Sequence, residues 1–214
     1  MTTAELISIV QSMANNRKYF YSEADFQHSL ALALKANGYN CFLEYPVLVG
    51  KVCHIDIIVE KDGILYPIEL KYKTKAMTCA GLCGNYQLRP HNAQDINRYL
   101  FWKDVDRLER LKSSYEGKIS KGFVVFLTND DSYWQSPVSS TCIDRLFRIH
   151  SGMIVQKVDW KDTVHEPDYV TQRSRYNHFL LKNSYLVPDW LPFSTVNDLK
   201  TGKPHYFKFH ITSI

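Results

Sequence analysis

Residues His54 to Lys73 constrain this chain more than any other stretch. They read His-Ile-Asp-Ile-Ile-Val-Glu-Lys-Asp-Gly-Ile-Leu-Tyr-Pro-Ile-Glu-Leu-Lys-Tyr-Lys. Two runs of strand-forming residues flank Asp62-Gly63, and an Asp-Gly pair in that setting is the strongest short-range signal for a two-residue hairpin turn. The turn sets Lys61 opposite Ile64, and by the same count Asp56 opposite Glu69 and His54 opposite Lys71. Side chains alternate along a strand, so one face carries Ile55, Ile57, Val59, Tyr66, Ile68 and Leu70, and the other His54, Asp56, Glu69, Lys71 and Lys73. A sheet buries the first of these faces. On the second, two opposed carboxylates have Cβ atoms about 4.5–5.5 Å apart, a spacing at which like charges destabilise. A shared proton, a lysine or a divalent cation would neutralise the pair, and Lys71 lies on the same face. Oxygen-only ligands suit a hard cation such as Mg²⁺, which takes one or two carboxylates, keeps waters and accepts phosphate oxygens. The alternative is a solvated hairpin face with an incidental ion pair.

Asp56 followed by Glu69-Leu70-Lys71 resembles the signature of the PD-(D/E)XK nuclease superfamily, the restriction-endonuclease-like fold. The resemblance spans residues 20–130 and rests on motif order, spacing and hairpin context. It departs from the family pattern in one place, where Ile55 rather than proline precedes Asp56. The family core is a helix, a three-strand meander bearing the motif, a second helix and a further strand. The resemblance implies that Asp56, Glu69 and the Leu70 carbonyl bind Mg²⁺, with Mn²⁺ as a substitute, and that Lys71 assists the attacking water.

The surrounding sequence is compatible with that core. At 214 residues the chain is read as a single domain, 1–214, with its core over about 20–130 and a C-terminal elaboration over about 135–214. The net charge of +4 permits a nucleic-acid partner without requiring one. With no signal-peptide pattern and no apolar run long enough to span a bilayer, a cytoplasmic protein without a membrane partner is expected. Five cysteines in no regular framework fit free thiols. Cys79, Cys83 and His91 match no standard zinc spacing.

Thr3 can cap a first helix running to about Asn15. A second helix starts at the N-cap Ser22, carries Asp25 at N3 and stops at Gly38, with Phe26, Leu30 and Leu34 as its buried stripe. Glu23 shares that stripe. It either complements the helix dipole or points into the site of Asp56 and Glu69, the place where the superfamily often has an acid. Residues 41–50 read as the first strand of an antiparallel meander. Residues 74–92, with Gly81, Gly84 and Pro90, read as a long irregular connection, either a substrate-contacting flap or a surface loop.

Asn92 can cap a helix over about 93–115 whose core stripe is Ile96, Leu100, Val105, Leu108 and Leu111. Lys103, Arg107, Arg110 and Lys112 make its exposed side basic, but Asp104, Asp106 and Glu109 interleave with them, which argues against a DNA-binding stripe. Gln94, at the helix start, resembles a glutamine that many superfamily members place beside the metal. It is one residue too far from Tyr99 for the Gln-x-x-x-Tyr motif of the exonuclease branch. Residues 122–128 fit a central strand covered on both faces and parallel to a neighbour, and 129–131 a turn. Farther on, an aromatic-rich β-extension is expected, its aromatics more core than base-stacking. Arg145, Arg148, Arg173 and Arg175 are either phosphate contacts or surface charges.

The expected fold is therefore α/β, a restriction-endonuclease-like core whose central mixed sheet is flanked by helices, with a β-rich C-terminal extension. The expected function is metal-dependent hydrolysis of phosphodiester bonds, in DNA before RNA, with Asp56, Glu69, Lys71, Glu23 and Gln94 as site residues. A non-catalytic nucleic-acid-binding or interaction module on the same fold is the alternative. Cutting both strands of a duplex usually needs two sites, which a homodimer would supply.

Overall fold

The computed structural model describes residues 1–137, 142–160 and 177–214. Helices α1 (Thr3–Met13) and α2 (Glu23–Ala36) precede the strands β1 (Asn40–Val49), β2 (Lys51–Lys61) and β3 (Ile64–Lys73). A small hairpin follows, β4 (Met77–Gly81) and β5 (Gly84–Leu88), then the long helix α3 (Gln94–Ser114) and strand β6 (Phe123–Thr128). Strands β7 (Ile154–Val158), β8 (Phe179–Leu186), β9 (Leu191–Asn197) and β10 (Pro204–Ser213) complete the described chain. The central sheet has six strands in the order β1-β2-β3-β6-β10-β9, and it is mixed, because β3 and β6 run parallel while the other pairs are antiparallel. No described helix is long and apolar enough to cross a membrane.

Local chemistry explains the elements. The β2–β3 turn is the Asp62-Gly63 turn, with both residues at positive φ and Lys61 paired to Ile64. Ser22 caps α2 by accepting the Asp25 N–H, and Gly38 at φ 82 takes the left-handed position after its C-cap. The cap of α1 is Thr2 rather than Thr3, in a reciprocal capping box with Glu5. The cap of α3 is Ala93 at φ 60 with no side-chain bond, so Asn92 does not cap it. Phe123 to Thr128 are all buried, and α3 provides the crossover that a parallel β3–β6 pair requires.

The sheet separates two cores. Phe26, Leu30, Ile57, Val59, Ile68, Leu70, Val125 and Leu127 pack with α1 and α2, whereas Ile58, Val124, Phe126, Phe101, Trp102 and Leu108 pack on the α3 side. Ile55 belongs to the α3 side, although two-residue alternation put it with Ile57. The alternation breaks at Asp56. Leu43 pairs with Ile57 and Tyr45 with Ile55, but the Glu44–Asp56 step between them is skipped, and Glu44 has φ 48.

Three other expectations change. Residues 74–92 contain the β4–β5 hairpin, anchored where Tyr86 Oη donates to the Tyr21 carbonyl at 3.0 Å and Thr78 N–H to Asp198 at 3.0 Å. Leu100 is 39 % exposed and leaves the buried stripe to the bulkier Tyr99, Phe101 and Trp102. The C-terminal strands are not only an extension: β7 and β8 form a separate ribbon, but β10 and β9 continue the central sheet beyond β6. The fully buried β6 needs a hydrogen-bonding neighbour on each edge, and β10 supplies the second.

Candidate active site

The β2–β3 ladder runs only from Lys61/Ile64 to Ile57/Ile68, and then the strands part. Asp56 and Glu69 are therefore not a ladder pair. From Ile68 onward β3 pairs with β6 while β2 leaves its opposite edge unpaired, and the gap between β2 and β3 is the cleft referred to below. Carboxylates take the main-chain donors that β2 leaves behind. Asp56 Oδ2 accepts the Leu70 N–H at 2.6 Å, and Glu23 Oε2 accepts the Tyr72 N–H at 2.7 Å and Lys73 Nζ at 3.1 Å. The Asp56 carbonyl, out of the ladder, accepts Gln27 Nε2 at 2.6 Å, and the same amide reaches Glu44 Oε1 at 2.7 Å. The Leu70 and Tyr72 N–H groups and the Asp56 carbonyl thus regain partners that the ladder no longer gives them.

Glu69 is 1 % exposed and faces α3. Its Oε1 lies 2.6 Å from Arg107 Nη2, yet no N–H points along that contact, so the pair is held by charge without an aligned hydrogen bond. Arg107 also donates to Asp104 Oδ1 at 2.8 Å. Asp104 forms an ion pair with Lys71, whose Nζ further donates to the Leu70 carbonyl at 3.2 Å. Three acids, Asp56, Glu69 and Asp104, consequently share two cations, Lys71 and Arg107.

The electrostatics follow from that count. Burial pushes the Glu69 pKa well above the ordinary carboxylate range, and Asp104 and Asp56 raise it further against the opposing Arg107 and Lys71 charges. Burial also raises Asp56, despite the Leu70 N–H and Lys71. Burial alone would lower the Lys71 pKa, but Asp104, Glu23 and Glu69 outweigh it and raise it. Lys71 is therefore a fixed cation at neutral pH.

Of the residues expected from sequence, Asp56, Glu69, Leu70 and Lys71 meet in the cleft, and Glu23 borders it through Tyr72 and Lys73. Gln94 does not join them. Its amide donates to Asp130 Oδ2 at 3.0 Å, and it stands ten residues before Asp104 on α3, about 15 Å along the axis. Asp130 caps the turn after β6 by accepting the Ser132 N–H at 3.0 Å, a structural use of that acid. Arg148 is buried on Asp144 at 3.1 Å rather than free for phosphate, while Arg173 and Arg175 lie outside the described residues. No group of three or more His, Cys, Asp or Glu among the described residues is arranged as a metal site.

Sequence reasoning missed Gln27, Asp104 and Arg107. Two of them carried a signal: Asp104 lies between Phe101 and Leu108 at i+3 and i−4, and Gln27 precedes Leu30 by three, so each is a polar residue on a buried helical face. Arg107 had none beyond its i+3 spacing from Asp104. No family model matches the chain, and no curated protein or solved structure shows significant similarity to it.

Proposed function

We propose that this chain is a metal-dependent nuclease that hydrolyses phosphodiester bonds, in DNA before RNA. The proposal includes the fold: α2, β1, β2, β3, α3 and β6 follow one another in the order of the restriction-endonuclease-like core. The observation that carries it is the opening between β2 and β3, where Asp56, Glu69 and the Leu70 carbonyl gather beside Lys71.

The donors fit a hard cation. They are all oxygens, and burial, with neighbouring acids adding to it, disfavours the ionised forms of Glu69 and Asp56, which a divalent cation would favour. Asp56, Glu69 and Leu70 would hold Mg²⁺ or Mn²⁺, and the chemistry such an ion supplies is polarisation of the phosphate and activation of water. The chain's own residues do the rest. Lys71, kept protonated by Asp104, is no general base; it donates hydrogen bonds to the attacking water or to a phosphate oxygen. Asp104 positions Lys71, and Gln27 keeps the strand open by satisfying the Asp56 carbonyl. Glu23 orients Lys73 at the cleft border.

One observation favours the non-catalytic reading. Arg107 on Glu69 and Lys71 on the Leu70 carbonyl occupy groups that a cation would need. Incubation with supercoiled, linear duplex, single-stranded and branched DNA and with RNA, each with Mg²⁺, Mn²⁺ or chelator, separates the two. Metal-dependent cleavage that is lost in Glu69→Ala supports the nuclease; metal-independent binding without cleavage supports the binding module.

A further inference from the structure

Among the described residues Glu69 has a single ion-pair partner, Arg107. The contact is badly aligned, and Arg107 Nε, though buried, has no hydrogen-bond partner. The guanidinium is therefore held by charge and by one good hydrogen bond, to Asp104 Oδ1 at 2.8 Å. It is also the most accessible of the three cations around the cleft: its side chain is 31 % exposed, against 13 % for Lys71 and 18 % for Lys73.

We propose that Arg107 is an internal competitor of the divalent cation for Glu69, and that on displacement it becomes a donor to a substrate phosphate oxygen. The inference rests on the nuclease reading and adds a residue to that site. Its physical basis is charge: a guanidinium 2.6 Å from Glu69 Oε1 and a metal ion on the same carboxylate are two positive groups in one buried place, and they repel. Asp104, one helical turn earlier on α3, tethers the side chain near the cleft after release. The planar fork of a guanidinium matches two phosphate oxygens, and the donors that Glu69 leaves poorly used become available for them. The metal-free protein thus holds a plug that the metal itself converts into a substrate contact.

The test compares wild type with R107Q, R110Q and E69Q, reading Mn²⁺ affinity by calorimetry and binding of a labelled DNA duplex with and without non-cleaving Ca²⁺. Arg110 is the control, since it is 62 % exposed and pairs with Asp106 rather than Glu69. R107Q is expected to bind Mn²⁺ about tenfold tighter, the scale on which partners of metal ligands act, with R110Q within about twofold of wild type. At saturating Ca²⁺, duplex binding is expected to strengthen more in wild type than in R107Q, which keeps only the ion's own contact with phosphate. Unchanged Mn²⁺ affinity in R107Q, with binding lost in E69Q, overturns this inference and leaves the nuclease reading standing. A Ca²⁺ gain as large in R107Q as in wild type overturns the phosphate role. Absence of Mn²⁺ binding by wild type overturns the reading and the inference together. Should R107Q not fold, the Arg107 Nε–H resonance of wild type, assigned with R107K, is expected to shift on adding Mg²⁺; a resonance that stays put while Mg²⁺ perturbs the amides around Glu69 overturns the proposal.

Discussion

Two buried glutamates show how different the same side chain can be. Glu109 on α3 is 4 % exposed and accepts four hydrogen bonds, from the Lys182 N–H at 2.8 Å, the Asn183 N–H and Nδ2 at 2.9 Å each and Tyr185 Oη at 2.8 Å. It stitches α3 to β8, and nothing about it is left over. Glu69, on the facing strand and even more deeply buried, has one misaligned cation and two acidic neighbours. Burial of a carboxylate is tolerated when donors converge on it. Where they do not converge, the residual charge is available for a cation. The first glutamate serves stability and the second is a candidate for chemistry.

The sharpest break of this contrast is at Glu69. Glu69→Ala is expected to lower metal-dependent cleavage by roughly a thousandfold or more while the cooperative thermal transition persists, and Lys71→Met is expected to do the same. Cleavage at wild-type rate in either variant removes the catalytic assignment. Glu109→Ala should behave in the opposite way. It strands several buried donors, so a loss of about 3 kcal/mol is expected, or roughly 6–12 °C in melting temperature, with cleavage per folded molecule unchanged. A smaller effect on both quantities is expected from Gln27→Ala, which leaves the Asp56 carbonyl without its donor: about 1–2 kcal/mol and roughly a tenfold fall in cleavage. If stability falls and cleavage does not, Gln27 supports the fold alone.

The smallest effect concerns pH. Glu69 and Asp56 bind protons more tightly folded than unfolded, so the native state carries extra protons between the ordinary carboxylate range and their raised values. Stability therefore falls as pH rises through that window, while metal affinity, which needs the ionised carboxylates, rises through it. Glu69→Gln is expected to flatten the pH dependence of the melting temperature across this window. Melting curves from pH 5 to pH 8 check this, and a variant whose pH dependence matches that of wild type would contradict it.

What the sequence determined by itself was local. The Asp62-Gly63 turn, the Ser22 cap and the apolar run of β6 all arise from residues within a turn, a helix or a strand of one another, and short-range sterics and hydrogen bonding specify them. The hairpin register also placed Glu69 and Lys71 on one face of β3, because alternation is a property of the strand. Tertiary structure decided where β2 leaves β3. That parting depends on the Asp56 carboxylate replacing a ladder acceptor for Leu70, on Gln27 from α2 taking the freed carbonyl, and on Glu44 adopting positive φ in the neighbouring strand. It also decided that Asp104 and Arg107 turn inward, that Gln94 stays about 15 Å away along α3, and that β10 rather than an appended sheet covers β6. Each of these joins residues far apart in the chain, through contacts that exist only once the helices have packed on the sheet. Propensity and spacing describe a residue's neighbours in sequence, and the charge balance around Glu69 is set by its neighbours in space.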